Sequence, residues 1–439
     1  MIFSATDVAE IVGGAISGPH VDISGASIDS RSIASGELFV PVVAERDGHD
    51  FIDEALASGA AAYLTSGPVR GGTSIAVADT VDALTALGEA ARDRLRGDVI
   101  GVTGSVGKTS VKDLLVAAVD PIRRVHANPA SFNNELGLPL TLVNAPEETE
   151  ITVLEMGARG IGHIAKLCRT GRPTIGVVTC VAGAHTELFG SLDGVALGKG
   201  ELIESLPRSG TAVLNADDHR VMGMRSRTAA DVLTFGSRGD VAVSDLRLDG
   251  IMRPTFRLST PWGSAEIRLG LAGAHMAMNT AAAIAAGGAC GSPLEAMVAG
   301  VEAAGPSAWR MEVATSPSGA VIVNDAYNAN PTSVRAALAA LEESAADRRS
   351  AVLGVMAELG DEHDDEHRAI AREAAAIGVR VIAVDAPSYG PGVEHVDSIE
   401  AAAGALGSLS ADDIVLVKGS RVAGLERLAK ILLGPAGAE

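Results

Sequence analysis

Aromatic side chains are scarce in this sequence: Phe, Trp and Tyr together make up 3% of 439 residues. A surface that stacks successive bases of a single strand needs several such rings, so that mode of binding is not expected. Basic side chains are also in deficit, 35 against 55 acids, giving a formal charge of −20. General binding to nucleic acid or to an anionic membrane needs a basic face, and this balance argues against both. Cysteine is limited to Cys168, Cys180 and Cys290, far apart and odd in number. They have no metal-ligand spacing and fit small buried hydrophobes in a reducing compartment. No apolar run approaches the ~18 residues of a spanning helix. The opening "MIFSATDVAEIVGGAISGPH" carries acids and no basic leader, unlike a signal peptide. Low-complexity tracts and internal repeats are missing as well. The expectation is a cytoplasmic chain without a membrane span or a nucleic-acid partner.

Glycine, by contrast, is abundant and concentrated where it carries chemistry. "GVTGSVGKTS" occupies residues 101–110, preceded by the apolar "VIGV" and followed by "VKDLLVAAV", whose apolar residues recur at helical spacing. Strand, glycine loop and helix together are the context of a phosphate site. Backbone N–H groups of such a loop and of the helix start face an anion, helped by the helix dipole. In TGxxGKT (Thr103, Gly104, Ser105, Val106, Gly107, Lys108, Thr109, then Ser110) the lysine would reach the β/γ-phosphates and the Thr109 hydroxyl would ligate Mg²⁺. Position 102 is Val, so the general GxxxxGK[ST] pattern is not matched. An ordinary glycine turn is the alternative, and the flanking strand and helix weigh against it.

Length suggests about three domains. Residues 1–96 mix short strands and helices, with a helix in "HDFIDEALASGAAAYLT" ending near Gly59. Residues 97–305 hold the glycine loop and strand-like runs "ITVLEMGA", "TIGVVTCV", "TAVLNADD" and "DVLTFGS", then a helix in "HMAMNTAAAIAAGGAC". Residues 306–439 alternate strand and helix, which implies a parallel sheet covered on both faces. Asn330-Pro331 reads as a helix start, Asn as N-cap and Pro at the first helical position.

Open α/β sheets bind ligands at the carboxyl ends of their strands. Glu155 and Asp325 stand at such ends, although Glu155 is on this evidence equally a solvated rim carboxylate. "AHTELFGSLDGVALGKGE" adds His185 and Lys199, a pair that on periodicity alone is a surface histidine and a solvated lysine. The amides Asn133 and Asn134 fit either a helix cap or a polar substrate. Capping explains Asn330 but leaves Asp325 and Asn328 open, and "GVMAELGDEHDDEH" reads as an exposed acidic loop.

Taken in order, TGSVGKT, FNNELGLPLTL, VLEMGA, AHTELFGS…KGE, LNADD, GAHMAMN, WRMEV, NDAYNANP, VLGVMAELG and VKGSR resemble the Mur ligase family over nearly the full chain. DSR (Asp29 to Arg31) and RDGHDFIDEALASGA do so near the N-terminus. The resemblance implies three domains: an α/β domain for a UDP-linked substrate, a central P-loop ATPase with a parallel sheet, and a Rossmann-like ligase domain. It implies that ATP phosphorylates a substrate carboxylate and that an amine attacks the acyl phosphate. DSR…DGH and DAYNANP further imply UDP-N-acetylmuramoyl-tripeptide and D-alanyl-D-alanine as substrates in peptidoglycan synthesis. The alternative is a relative that adds a single amino acid. By the same resemblance Lys108, Thr109, Glu155 and His185 match phosphate and magnesium positions, and Lys199 matches a lysine carried as a carbamate that holds a second Mg²⁺. Asn279 and Arg310 match ATP contacts and Asp325 a ribose contact. Ser30, Arg31, Gly48 and His49 fall in the uridine region, Asn133 and Asn134 among substrate contacts, Asn328 and Asn330 near the incoming dipeptide. A monomer is expected.

Overall fold

The computed structural model describes residues 1–129, 131–183 and 189–434. Its backbone forms a five-stranded, a nine-stranded and a six-stranded sheet, met in that order along the chain, with a two-stranded ladder near the start. The architecture is α/β with three domains, as expected. The first domain's sheet runs in the order Ala15–Ser17, Thr73–Ala76, Ala62–Thr65, Leu38–Phe39, Ala26–Ser27, with only the first strand antiparallel. The expected helix before Gly59 is Ile52–Ala57, and the strand Ala62–Thr65 follows it.

Third from one edge of the nine-stranded sheet lies Asp98–Thr103, with Ile151–Glu155 on one side and Ile175–Val178 on the other. Strand order reverses there, so the loops after these three strands open into one crevice. Seven strands of this sheet are parallel. The last of these, Val241–Leu248, continues with Pro254–Thr260 and Gly263–Arg268 into an antiparallel meander that the strand–helix reading did not anticipate. Its strands are joined by tight turns instead of crossover helices, and only antiparallel pairing permits that.

One face of this sheet is covered by Lys108–Val119, His275–Ala289 and Leu294–Glu302, packed over Ile100, Val102, Val153 and Val177. On the other face, Leu154, Leu202 and Ile203 share a core with Phe3, Leu38 and Leu64 of the first domain. Helix Thr80–Arg94, capped by Asp79, mediates this contact. A Cβ on Gly88 would lie 2.7 Å from Pro139 Cβ, so glycine allows this helix to touch helix Gly137–Val143 of the second domain.

The third sheet runs Glu312–Thr315, Val321–Asp325, Asp413–Lys418, Arg348–Leu353, Arg380–Val384, Glu394–Val396. Only its first strand is antiparallel. Asn330 caps helix Pro331–Glu342 by accepting from Ser333 N, with Pro331 at the first helical position, so that local signal reads directly into structure.

Candidate active site

Thr103 ends strand Asp98–Thr103 and its hydroxyl donates to Met156 O at 2.9 Å, tying the glycine loop to the neighbouring strand's end. Gly104 has φ 152° and Gly107 φ 84°, a region that favours glycine. Any Cβ on Gly104 would collide with Thr179 Oγ1, and one on Gly107 would sit 2.7 Å from Asn279 Oδ1. The loop is therefore a cradle that side chains would fill. Ser105 bonds both backbone groups of Ala182, and Thr179 Oγ1 donates to Val106 O. Lys108 Nζ lies over its own loop, donating to Gly104 O at 2.9 Å, and desolvation lowers its pKa. Ser110 is buried in the following turn.

Glu155 is 2% exposed, which removes the solvated-rim alternative. Its Oε2 accepts from Thr109 Oγ1 at 2.8 Å and its Oε1 from Asn133 Nδ2 at 2.7 Å. Its backbone N–H is held by Asn128 Oδ1. From 201 residues away in sequence, Arg310 Nη2 donates to Thr109 Oγ1 at 3.0 Å. Three residues from distant segments thus meet at one hydroxyl, with Asn133 holding the far oxygen of Glu155. Thr109 and Glu155 present adjacent hard oxygens, the donor chemistry that Mg²⁺ selects, and the glycine cradle has the form a phosphate chain requires.

Lys199 lies in helix Leu192–Glu204 and is 3% exposed, not a solvated lysine. Its ammonium has no hydrogen-bonding partner among the described residues. Burial, reinforced by the positive charge of Lys108, lowers its pKa to about 7. His185 lies outside the described residues.

Arg310 is flanked by Trp309 and Met311, both with positive φ (59° and 48°), and its guanidinium stacks 4.1 Å from the Tyr327 ring centroid. Asp325 accepts from Met311 N and pairs with Lys418 Nζ at 2.5 Å. Asn328 is exposed and its carbonyl accepts from the same ammonium. The paired amides divide: Asn133 orients Glu155, whereas Asn134 Oδ1 accepts from Leu136 N and Gly137 N at the start of the next helix. Asn330 is a helix cap.

In the first domain Arg31 pairs with Asp29 through two bonds of 2.8 and 2.7 Å, which bring the Asp29 carboxyl down to about 2. Ser30 Oγ donates to Glu54, on the helix that follows His49, so the DSR and DGH segments are linked. His49 Nδ1 lies 2.7 Å from Asp47 Oδ1 while its Nε2 accepts from Ser66 N, which fixes one tautomer. A Cβ on Gly48 would approach Val42 N to 2.5 Å.

Sequence reasoning did not single out Lys418, Asn128, Glu201 or His367. Lys418 carries the same signal as Glu155 and Asp325, a charged residue closing an apolar strand. Glu201 caps helix His163–Gly171 by accepting from Gly162 N and Ala165 N, a role set by packing alone. In the acidic "GDEHDDEH" segment, His363 and His367 stand at metal-ligand spacing. Both nitrogens of His367 are engaged, however, one with His363 O and the other accepting from Met356 N. That histidine holds the 354–359 loop in place. A concavity of about 570 Å³ on the antiparallel meander, around Asp245, Arg247 and Arg257, is lined by none of the residues above.

Residues 102–287 match the model of the Mur ligase middle domain, and residues 309–421 that of the Mur ligase glutamate ligase domain. The chain is 38% identical to the UDP-N-acetylmuramoyl-tripeptide–D-alanyl-D-alanine ligase of Mycobacterium tuberculosis, covering 98% of this chain and 97% of that one. It is 34% identical to the Escherichia coli enzyme of the same name, covering 97% of each. Among solved structures it resembles MurF from Acinetobacter baumannii, with a TM-score of 0.90 and 28% identity over 99% of both chains. MurF ligase from Thermotoga maritima in complex with ADP gives 0.82 and 29%, over 93% of this chain and 96% of that one.

Proposed function

The chain belongs to the Mur ligase family, and on that premise we propose how its residues divide the work of amide-bond synthesis. The protein is an ATP-dependent ligase of peptidoglycan precursor synthesis. It adds D-alanyl-D-alanine to UDP-N-acetylmuramoyl-tripeptide and releases ADP and phosphate. A carboxylate is a poor acylating agent. Its oxygen first attacks the γ-phosphorus of ATP, breaking the bond to ADP; the neutral amine of the dipeptide then attacks the acyl carbon and phosphate departs. Little acid–base chemistry is needed beyond deprotonating that amine, so catalysis consists of alignment and charge neutralisation.

The observation that carries the assignment of residues is the convergence at Thr109. Glu155 reaches it from the central sheet and Arg310 from beyond the domain linker, so the transferring phosphoryl group would lie between the two domains. Lys108 would neutralise its charge, and Arg310 and Asn279 would hold the nucleotide. Bound Mg²⁺ supplies further neutralisation, and Thr109 and Glu155 are the oxygens to hold it. A second Mg²⁺ would be held by His185 and by Lys199 as a carbamate. A lysine with its pKa near 7 has the neutral amine that CO₂ capture requires, and that amine, having already lost the ammonium's proton, adds CO₂ with loss of a second proton to become a hard-oxygen anion. Asp325 would meet the ribose, and Ser30, Arg31, Gly48 and His49 the uridine. Asn328 and Asn330 would face the dipeptide. Residues 1–96, 97–305 and 306–439 would then serve the UDP-linked substrate, ATP and the acceptor respectively. The protein would act as a cytoplasmic monomer; no helix among the described residues is long and apolar enough to cross a membrane.

Phosphate release measured across a panel of acids and amines tests the reading. Release should require both UDP-N-acetylmuramoyl-tripeptide and D-alanyl-D-alanine. Equal release with a single amino acid in place of the dipeptide would overturn it.

A further inference from the structure

Lys418 closes strand Asp413–Lys418 and is only 2% exposed. Burying an ammonium is costly unless it is paired and hydrogen-bonded. Two bonds do this here, to Asp325 Oδ2 at 2.5 Å and to Asn328 O at 2.9 Å. Asp325 stands directly opposite Lys418 in the parallel ladder, so the pair is set by strand register and not by side-chain chance. Ser420, two residues further on, continues the clamp: its hydroxyl donates to Ala329 O and accepts from Ala357 N. The segment 325–329 is thereby held along its length by one short stretch of chain.

The two partners of Lys418 have different duties. Asp325 is bonded to the backbone of Met311, next to Arg310, on the nucleotide side. Asn328 is exposed, and on the reading above it faces the acceptor. We propose that Lys418 is a positioning residue that couples nucleotide binding to acceptor binding, because a single ammonium fixes the Asp325 carboxylate relative to the Asn328 backbone. A shift of Asp325 on meeting the nucleotide is transmitted to Asn328 through the shared nitrogen. The proposal rests on the reading above of Asp325 as a nucleotide contact and of Asn328 as an acceptor contact.

Calorimetric titration of D-alanyl-D-alanine tests it, with saturating UDP-N-acetylmuramoyl-tripeptide present, with and without a non-hydrolysable ATP analogue and Mg²⁺. In the wild type the analogue should tighten the dipeptide by about fivefold or more, the usual scale of coupling between sites. Lys418→Met keeps the length of the side chain and loses both bonds, so the factor should fall to about one. Lys418→Arg keeps the charge and should fall between. In turnover, Lys418→Met should raise KM for ATP and for the dipeptide together and leave that for the UDP-linked substrate unchanged. A folded Lys418→Met protein that retains the wild-type factor would overturn the proposal. If that variant does not fold, wild type and Lys418→Arg decide: absent coupling in wild type overturns it, and a reduced factor in folded Lys418→Arg supports it. Wild-type protein that releases phosphate with other amines but not with this dipeptide would instead remove the functional reading.

Discussion

Replacing Lys199 by methionine should make the ligand-free protein more stable and inactive. The side chain is 3% exposed and its pKa falls from 10.5 to about 7, chiefly through burial. A lysine with a depressed folded-state pKa binds fewer protons folded than unfolded between pH 7 and 10.5. Stability therefore rises with pH across that window, and the penalty is complete below it. At 1.36 kcal/mol per unit the shift corresponds to about 5 kcal/mol at pH 6, shrinking to about 2 kcal/mol at pH 9. Methionine fills similar volume without a charge, so Lys199→Met should lose this penalty. The readout is the difference between variant and wild type in urea unfolding, in CO₂-free and metal-free buffer. The stability gap in favour of the variant should narrow by roughly 3 kcal/mol between pH 6 and pH 9. Restoring bicarbonate and Mg²⁺ should recover turnover in the wild type only, and Lys199→Arg should stay as inactive as Lys199→Met. A gap independent of pH, or a variant less stable than wild type at pH 6, would refute the argument that an ammonium with no partner among the described residues is buried there.

Two further outcomes follow from the same geometry. Lys108→Ala should lower turnover by orders of magnitude with the fold intact, since a preorganised electrostatic donor typically contributes several kcal/mol; phosphate release and circular dichroism check both halves. Arg31→Ala should raise KM for the UDP-linked substrate and leave KM for ATP and the melting temperature unchanged, because among the described residues the exposed Arg31 side chain bonds only Asp29. An equal rise for both substrates would move Arg31 out of the uridine site.

Local chemistry alone was enough for the parts of this protein whose determinants are neighbours in sequence. TGSVGKT between an apolar strand and an amphipathic helix specified the cradle, because only glycine tolerates the positive φ at 104 and 107 and the close approach of Thr179 and Asn279. Asn330-Pro331 specified a helix start for the same reason: its partner, Ser333, lies three residues away. Alternation of strands and helices gave the parallel sheets, but not the meander after residue 240, where hairpin turns replaced crossovers. Tertiary structure decided everything that depends on which distant segments meet. Two adjacent amides, Asn133 and Asn134, could not be told apart until folding turned one toward Glu155 and the other toward a helix start. Burial changed Glu155 from a possible rim carboxylate into a held one, and Lys199 from a solvated cation into a buried amine with its pKa lowered to about 7. Arg310 reached Thr109 across 201 residues, and Lys418 reached Asp325 because two strands far apart in the chain pair in register. Charge at a strand end is visible in a sequence; the partner that gives it a function is fixed only when the sheet has assembled.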